Sequence, residues 1–127
     1  MLLAKGQKVL IVDDEQWTSD TLATIFSIAG YEARAAYSAE QAIEIMADWQ
    51  PALVILDVVL PKMSGIELAI ELASRQTSCQ ILLFSGNPNT ARLAEVAAQD
   101  GHRFEILEKP VHPDLMLQKA SHLLSVH

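Results

Sequence analysis

The sequence has one cysteine, Cys79, among 127 residues, and it has no long apolar run. A single cysteine allows no internal disulfide and no cysteine-based metal site. No apolar stretch approaches the roughly 20 residues of a membrane-spanning helix, and the first six residues lack the apolar core of a signal peptide. We therefore expect a cytoplasmic protein that does not use the membrane as a partner.

Basic residues are also few: the sequence has nine Lys and Arg and sixteen Asp and Glu, which gives a formal net charge of −7. That balance argues against direct binding to a nucleic-acid backbone. No GxGxxG or GxxxxGK[ST] loop is present, so the chain does not look like a nucleotide binder. Its length and its apolar fraction of 50% are ordinary for one globular domain, and we predict a single domain over residues 1–127.

Short apolar runs recur along the chain and predict buried strands. The clearest is Leu53 to Leu56, which ends at the carboxylate of Asp57 and is followed by a loop with proline and glycine. Four continuous apolar residues are typical of a strand buried on both faces of a parallel sheet. The other predicted strands are Val9–Val12, Tyr31–Ala36, Ile81–Phe84 and Phe104–Leu107.

Helical patterns separate these strands. Ser38 and Ser64 begin capping-box patterns, and Gly30 supplies a C-terminal stop. Trp17, in the first turn of the first helix, is expected to pack against a loop. The five predicted helices contain Leu22, Ile25 and Phe26; Ala42, Met46 and Trp49, closed by Pro51; Leu68 and Leu72; Leu93, Val96 and Ala97; and Leu115 to Leu124 after Pro113. Five alternating strands and helices predict an α/β domain with helices on both faces of a parallel sheet.

Polar residues follow four of the five predicted strands: Asp13 and Asp14, then Asp57, then Ser85, then Lys109. The carboxyl ends of the strands converge at one edge of such a sheet. Three carboxylates placed together repel one another, and a hard divalent cation, Mg²⁺ above all, is their natural partner. A carboxylate beside Mg²⁺ can attack a phosphoryl group, while a lysine and a hydroxyl stabilise the phosphoryl oxygens.

The chain resembles, from about Lys8 to Leu124, the receiver domains of the two-component response-regulator family. Each matching segment is short, but the four occur in order and each follows a predicted strand. The segments are Val12-Asp13-Asp14-Glu15, the stretch from Asp57 to Leu68, Ser85-Gly86 and Lys109-Pro110. The resemblance implies a CheY-like, flavodoxin-like doubly wound sheet of five strands in the order 2-1-3-4-5, flanked by five helices, with a core of about residues 8–124.

The resemblance also implies a role for each site residue. Asp57 would be the phosphoacceptor, supplied by a sensor histidine kinase or a phosphotransfer protein. Ser85 would be the hydroxyl that moves toward the phosphoryl group, and Lys109 would pair with a phosphoryl oxygen. The implied Mg²⁺ ligands are Asp13, Asp14, Asp57 and the backbone carbonyl of Val59.

The family pattern is not complete. Ile106 stands where many receivers carry an aromatic residue three positions before the lysine, and Val111 replaces a frequent phenylalanine. Val59 and Asn87, two residues beyond Asp57 and Ser85, are expected to tune the lifetime of the phosphoryl group.

The leading hypothesis is a phosphorylation-activated signalling switch, not an enzyme beyond its own phosphoryl transfer and autodephosphorylation. One alternative is a pseudo-receiver that binds partners without phosphoryl transfer. A hydrolase with an aspartate nucleophile would normally need a further domain to hold its substrate. The switch would act on a downstream protein or on an output domain missing from this sequence, with a homodimer possible, and the chain is either a stand-alone receiver or part of a longer regulator.

Overall fold

A computed structural model describes residues 6–75, 79–86, 105–109 and 111–125. The strands are β1 (Lys8–Val12), β2 (Glu32–Ala36), β3 (Leu53–Asp57), β4 (Gln80–Ser85) and β5 (Glu105–Glu108). The helices in these ranges are α1 (Gln16–Ile28), α2 (Ala39–Met46), α3 (Gly65–Ser74) and α4 (Pro113–Ser125). The helix predicted around Leu93, Val96 and Ala97 lies outside the described residues, as do Asn87, Phe104 and Pro110.

The five strands form one parallel sheet in the order β2-β1-β3-β4-β5. The predicted fold class and strand order are therefore confirmed, and the described residues contain four of the five predicted helices. β3 lies at the centre of the sheet, and all five of its residues are buried. The register places Asp57 beside Phe84 and Ser85 beside Glu108. The carboxyl ends of these strands consequently lie along one edge.

Two apolar layers cover the two faces of the sheet, because successive strand residues point to opposite sides. One layer joins Leu10, Val12, Val54, Leu56 and Leu83 to residues of α2 and α3. The other joins Val9, Ile11, Leu53, Ile55, Leu82 and Phe84 to residues of α1 and α4. Burial on both faces accounts for the unbroken apolar runs of β1 and β3 in the sequence.

The helix ends follow the capping signals. The Ser38 hydroxyl accepts a hydrogen bond from the Gln41 amide at 3.0 Å, and the Ser64 hydroxyl accepts one from the Glu67 amide at 3.1 Å. Gly30 follows α1 with φ at +108°, in the left-handed region where glycine avoids the strain of a side chain. These contacts fix where α1, α2 and α3 start or stop.

The sequence prediction was wrong about the packing of Trp17 and about the helix that was to carry Trp49. α2 ends at Met46, so Trp49 reaches the core from the segment beyond the helix, where its indole N–H donates to Glu32 at 2.8 Å. Trp17 was expected to pack against a loop, but its side chain is 76% exposed on α1. In the described part of the chain, no helix is both long enough and apolar enough to cross a membrane.

Candidate functional site

The carboxyl edge of the sheet brings three carboxylates together. One oxygen each from Asp13, Asp14 and Asp57 lies within 4.8 Å of the other two. Asp13 and Asp57 are buried, whereas Asp14 is exposed. The structure therefore gathers the acids that the sequence placed at the ends of β1 and β3, with one of them open to solvent.

Asp57 ends β3 and is only 6% exposed. Its Oδ1 accepts a hydrogen bond from the Val59 amide at 3.1 Å, and its Oδ2 accepts one from the Lys109 ammonium at 3.1 Å. The backbone beside it is anchored as well, because the Val58 amide donates to Phe84 O at 3.0 Å. Asp57 is thus held from the loop after β3 and from Lys109, the residue after β5.

Gly65 lets the start of α3 pack directly on the backbone of Asp57 and Val58. Its amide donates to Val58 O at 2.7 Å. A Cβ at this position would overlap the carbonyl oxygen of Asp57 and would lie 2.9 Å from the Val58 Cα. Only a residue without a side chain fits there, because the obstacle is backbone and cannot rotate away.

Asp13 is fixed by contacts from β2 and from α1. The Asp13 amide donates to Ala36 O of β2 at 3.1 Å, and Asp13 Oδ1 accepts from the Glu15 amide at 3.0 Å. The Ser19 hydroxyl of α1 donates to Asp13 O at 2.6 Å, and Ser19 is completely buried. The sequence interpretation missed Ser19, although it lies three and seven residues before Leu22 and Phe26 on the buried stripe of α1.

Lys109 follows β5 and brings the cation to the site. Its amide donates to Ser85 O at 2.8 Å, and its Nζ lies 3.1 Å from Asp57 Oδ2 and 3.6 Å from Asp13 Oδ2. Partial burial acts to lower the pKa of Lys109, but the hydrogen bond and charge of Asp57 and the charge of Asp13 outweigh it and raise this pKa above 10.5. The lysine therefore carries its charge at neutral pH.

One ammonium does not compensate three carboxylates. Burial raises the pKa of Asp13 above its ordinary value, and the nearby charges of Asp57 and Asp14 raise it further, against the opposing effects of the Glu15 amide and Lys109. Asp13 Oδ2 is buried without a hydrogen-bond partner among the described residues. Buried carboxylate oxygens with this excess of negative charge fit a hard divalent cation such as Mg²⁺.

The remaining predicted residues surround this cluster. Ser85 is buried at the end of β4, and Val59, two residues after Asp57, has an exposed side chain. The Val59 carbonyl as a metal ligand stays a prediction. Ile106 is half-buried on β5 and packs against the layer that contains α2 and α3. Phe84, which the sequence interpretation did not single out, places its ring 4.8 Å from the Lys109 Nζ.

Comparison with known proteins gives one family. Residues 9–121 match the profile of the response regulator receiver domain. Regulatory protein AtoC of Escherichia coli is 31% identical over 122 residues, which are 94% of this chain and 26% of that protein. Response regulator MprA of Mycolicibacterium vanbaalenii is 27% identical over 117 residues, which are 92% of this chain and 50% of that protein. This chain thus spans between about a quarter and a half of these curated relatives.

Solved structures show the same fold. The receiver domain of NtrX from Brucella abortus is 30% identical, with a TM-score of 0.81 over 94% of this chain and 99% of that one. A CheY-like receiver domain protein from Methanospirillum hungatei is 24% identical, with a TM-score of 0.84 over 95% of each chain. At that identity, the second structure supports the fold alone.

Proposed function

The chain belongs to the response-regulator receiver family, and from that premise we propose that Asp57 accepts a phosphoryl group and thereby switches the state of the domain. The observation that carries the proposal is the pairing of Asp57 Oδ2 with the Lys109 Nζ at 3.1 Å inside a cluster of three carboxylates. This arrangement gives a buried nucleophile, a fixed cation and an excess of negative charge suited to a metal ion.

The proposed chemistry is an in-line transfer to a carboxylate. An Asp57 oxygen attacks the phosphorus of the donor, the new O–P bond gives an acyl phosphate, and the donor keeps the electron pair of the broken bond. The Val59 amide orients Oδ1, and the contact with Lys109 orients Oδ2. Lys109 is then placed to pair with a phosphoryl oxygen as charge develops on it.

Mg²⁺ is the proposed cofactor. Asp13, Asp14 and Asp57 would hold it, with the Val59 carbonyl as a fourth protein ligand. When bound, it supplies positive charge that compensates the carboxylates and the phosphoryl oxygens. Asp13 Oδ2 supports this assignment, because it is buried and accepts no hydrogen bond among the described residues, with the Lys109 ammonium 3.6 Å away.

Ser85 is the proposed switch hydroxyl. It lies at the end of β4, its carbonyl accepts the Lys109 amide, and it precedes Gly86. In the phosphorylated state, its hydroxyl would move to donate to a phosphoryl oxygen. Because Ser85 and Lys109 share a backbone hydrogen bond, such a movement would be transmitted between β4 and β5.

Membership of the family supports proposals for the phosphoryl donor, the target and the cellular location. We propose a sensor histidine kinase or phosphotransfer protein as donor and a downstream protein or output domain as target, in the cytoplasm, with a homodimer as one form of output. The curated relatives are longer than the region they share with this chain. We propose residues 1–127 as one receiver domain with its core at about 8–124, which catalyses only its own phosphorylation and dephosphorylation.

Acetyl phosphate with Mg²⁺ tests the proposal without the kinase. Intact mass should increase by about 80 Da for one phosphoryl group, and Asp57→Asn should abolish the increase. Asp48→Asn is the matched control, since Asp48 is an exposed acid of the segment after α2. A folded wild-type protein that takes up no phosphoryl group would refute the switch and favour the pseudo-receiver.

A further inference from the structure

The Lys109 side chain lies beside Phe84, which belongs to β4, and beside Gly86, which belongs to the loop after that strand. A Cβ built on Gly86 would lie 3.7 Å from the Lys109 Cβ and 3.8 Å from its Cδ, so the aliphatic stem runs past Gly86. The Nζ lies over the Phe84 ring, 4.8 Å from the centroid. Phe84 itself is buried in the layer that contains α1 and α4, so its ring is fixed.

This ring contact differs from the two ion pairs of the lysine. An ammonium over an aromatic face is attracted by the quadrupole of the ring. The pair with Asp57 changes when Asp57 becomes an acyl phosphate, because the carboxylate is replaced by a group whose negative charge lies on the phosphoryl oxygens. The Phe84 ring carries no group that phosphorylation of Asp57 alters chemically, so it can hold the ammonium in both states.

We propose that Phe84 is a positioning residue for phosphoryl transfer, whose ring face holds the Lys109 ammonium at the phosphoacceptor. The inference rests on the proposed function and adds a residue to it. Lysine has a flexible four-carbon stem, so its ammonium samples several positions unless neighbouring groups restrict it. The ring adds a restriction on the ammonium that is separate from its ion pairs with the carboxylates.

The central test compares two equivalent substitutions in one apolar layer. Phe84→Leu keeps an apolar side chain but removes the ring, and Phe26→Leu makes the same change away from the lysine. We expect Phe84→Leu to lower the rate constant for phosphorylation by acetyl phosphate about two- to fivefold, the range expected for a partly exposed cation–π contact. Phe26→Leu should leave this rate constant unchanged even if it lowers the melting temperature equally.

Two further readouts separate positioning from general packing. The ring should shift the NMR signals of the Lys109 ε-methylene protons upfield in the unphosphorylated wild type, and Phe84→Leu should remove that shift. In a Lys109→Met background, assayed at higher acetyl phosphate concentration, Phe84→Leu should have no additional effect on the rate.

Equal rate losses in the two leucine variants, or a loss that persists without the lysine, would overturn the positioning role. If the wild type takes up no phosphoryl group, the proposed function fails together with the positioning role. The NMR shift would then still report whether the contact exists. Phosphorylation of the wild type with no difference between the leucine variants would refute only the role of Phe84.

Discussion

Lys109 donates a hydrogen bond to Asp57 across 3.1 Å, although 52 positions separate the two residues in the chain. The same ammonium lies 3.6 Å from Asp13, so one cation serves two buried carboxylates while Asp14 adds a third charge nearby. This imbalance suits a site that gains its remaining positive charge from a metal ion. It also implies that the metal-free protein is less stable than it would be with fewer acids.

Removing one acid should therefore stabilise the metal-free protein. We expect Asp13→Asn to raise the melting temperature at pH 7 by about 3–6 °C, which corresponds to roughly 1 kcal/mol in a domain of this size. Mg²⁺ should raise the melting temperature of the wild type, because a ligand of the folded state stabilises it, and should raise that of the variant less. Calorimetry with EDTA or Mg²⁺ measures both effects.

The stability difference between Asp13→Asn and the wild type should depend on pH, because the pKa of Asp13 is raised in the folded state. Below the ordinary value of 3.8, Asp13 is protonated in both the folded and the unfolded state, and its burial costs little. As pH rises from 3.8 through the raised folded-state pKa, the unfolded state releases the proton first and stability falls. The advantage of Asp13→Asn should thus be smaller at pH 4 than at pH 7, and a lower melting temperature for the variant at pH 7 would contradict the account.

Gly65→Ala should damage both the fold and the site. The added Cβ would overlap the Asp57 carbonyl, so either α3 or the segment at Asp57 and Val58 must shift. We expect a loss of at least about 2 kcal/mol in the free energy of unfolding, measured with urea, because overpacking against backbone relaxes poorly. Phosphorylation of Asp57 should be slower as well.

Gly86→Ala provides the matched control. A Cβ there would make ordinary contacts of 3.7 and 3.8 Å with the Lys109 stem. We expect its unfolding free energy to stay within about 0.5 kcal/mol of the wild type. Equal losses in the two alanine variants would show that steric overlap is not the reason for glycine at position 65.

Ser19→Ala should remove the buried hydroxyl that holds the Asp13 backbone. Its hydrogen bond to Asp13 O is 2.6 Å long, and an unpaired buried carbonyl costs about 1–3 kcal/mol. We expect that loss in urea unfolding, together with weaker Mg²⁺ binding measured by titration calorimetry. Thr24→Ala removes an exposed hydroxyl bonded to Asp20 O in the same helix and should cost less than about 0.5 kcal/mol.

The result would be different if Ser19 only filled space. Stability would then fall by less than about 1 kcal/mol, and Mg²⁺ affinity would match that of the Thr24 variant. Such an outcome would remove Ser19 from the support of the acid cluster.

The sequence predicted the sheet well because its strands are short apolar runs that end in polar residues. Burial on both faces makes β1 and β3 continuous runs, and the convergence of strand ends then brings Asp13, Asp57 and Lys109 together. The helix starts predicted at Ser38 and Ser64 were also confirmed. Each depends on a hydrogen bond between residues only three positions apart in the sequence.

Features that depend on distant contacts were not predictable in the same way. Gly65 is required by the Asp57 backbone, and Phe84 matters because of a lysine 25 positions later in the sequence. Ser19 reads as a solvent-facing residue until its place on the apolar stripe of α1 is considered. Trp17 was expected to pack against a loop, but it lies exposed on α1, although tryptophan is highly buried on average.

Locating the phosphoryl group tests directly whether Asp57 is the residue that accepts it. The protein is phosphorylated with acetyl phosphate and Mg²⁺, reduced with borohydride, digested, and mapped by peptide mass spectrometry. Borohydride converts an aspartyl phosphate to homoserine, so we expect homoserine at position 57 and unmodified aspartate at positions 13 and 14. Homoserine at position 13 or 14, or at no position in a folded protein, would contradict it.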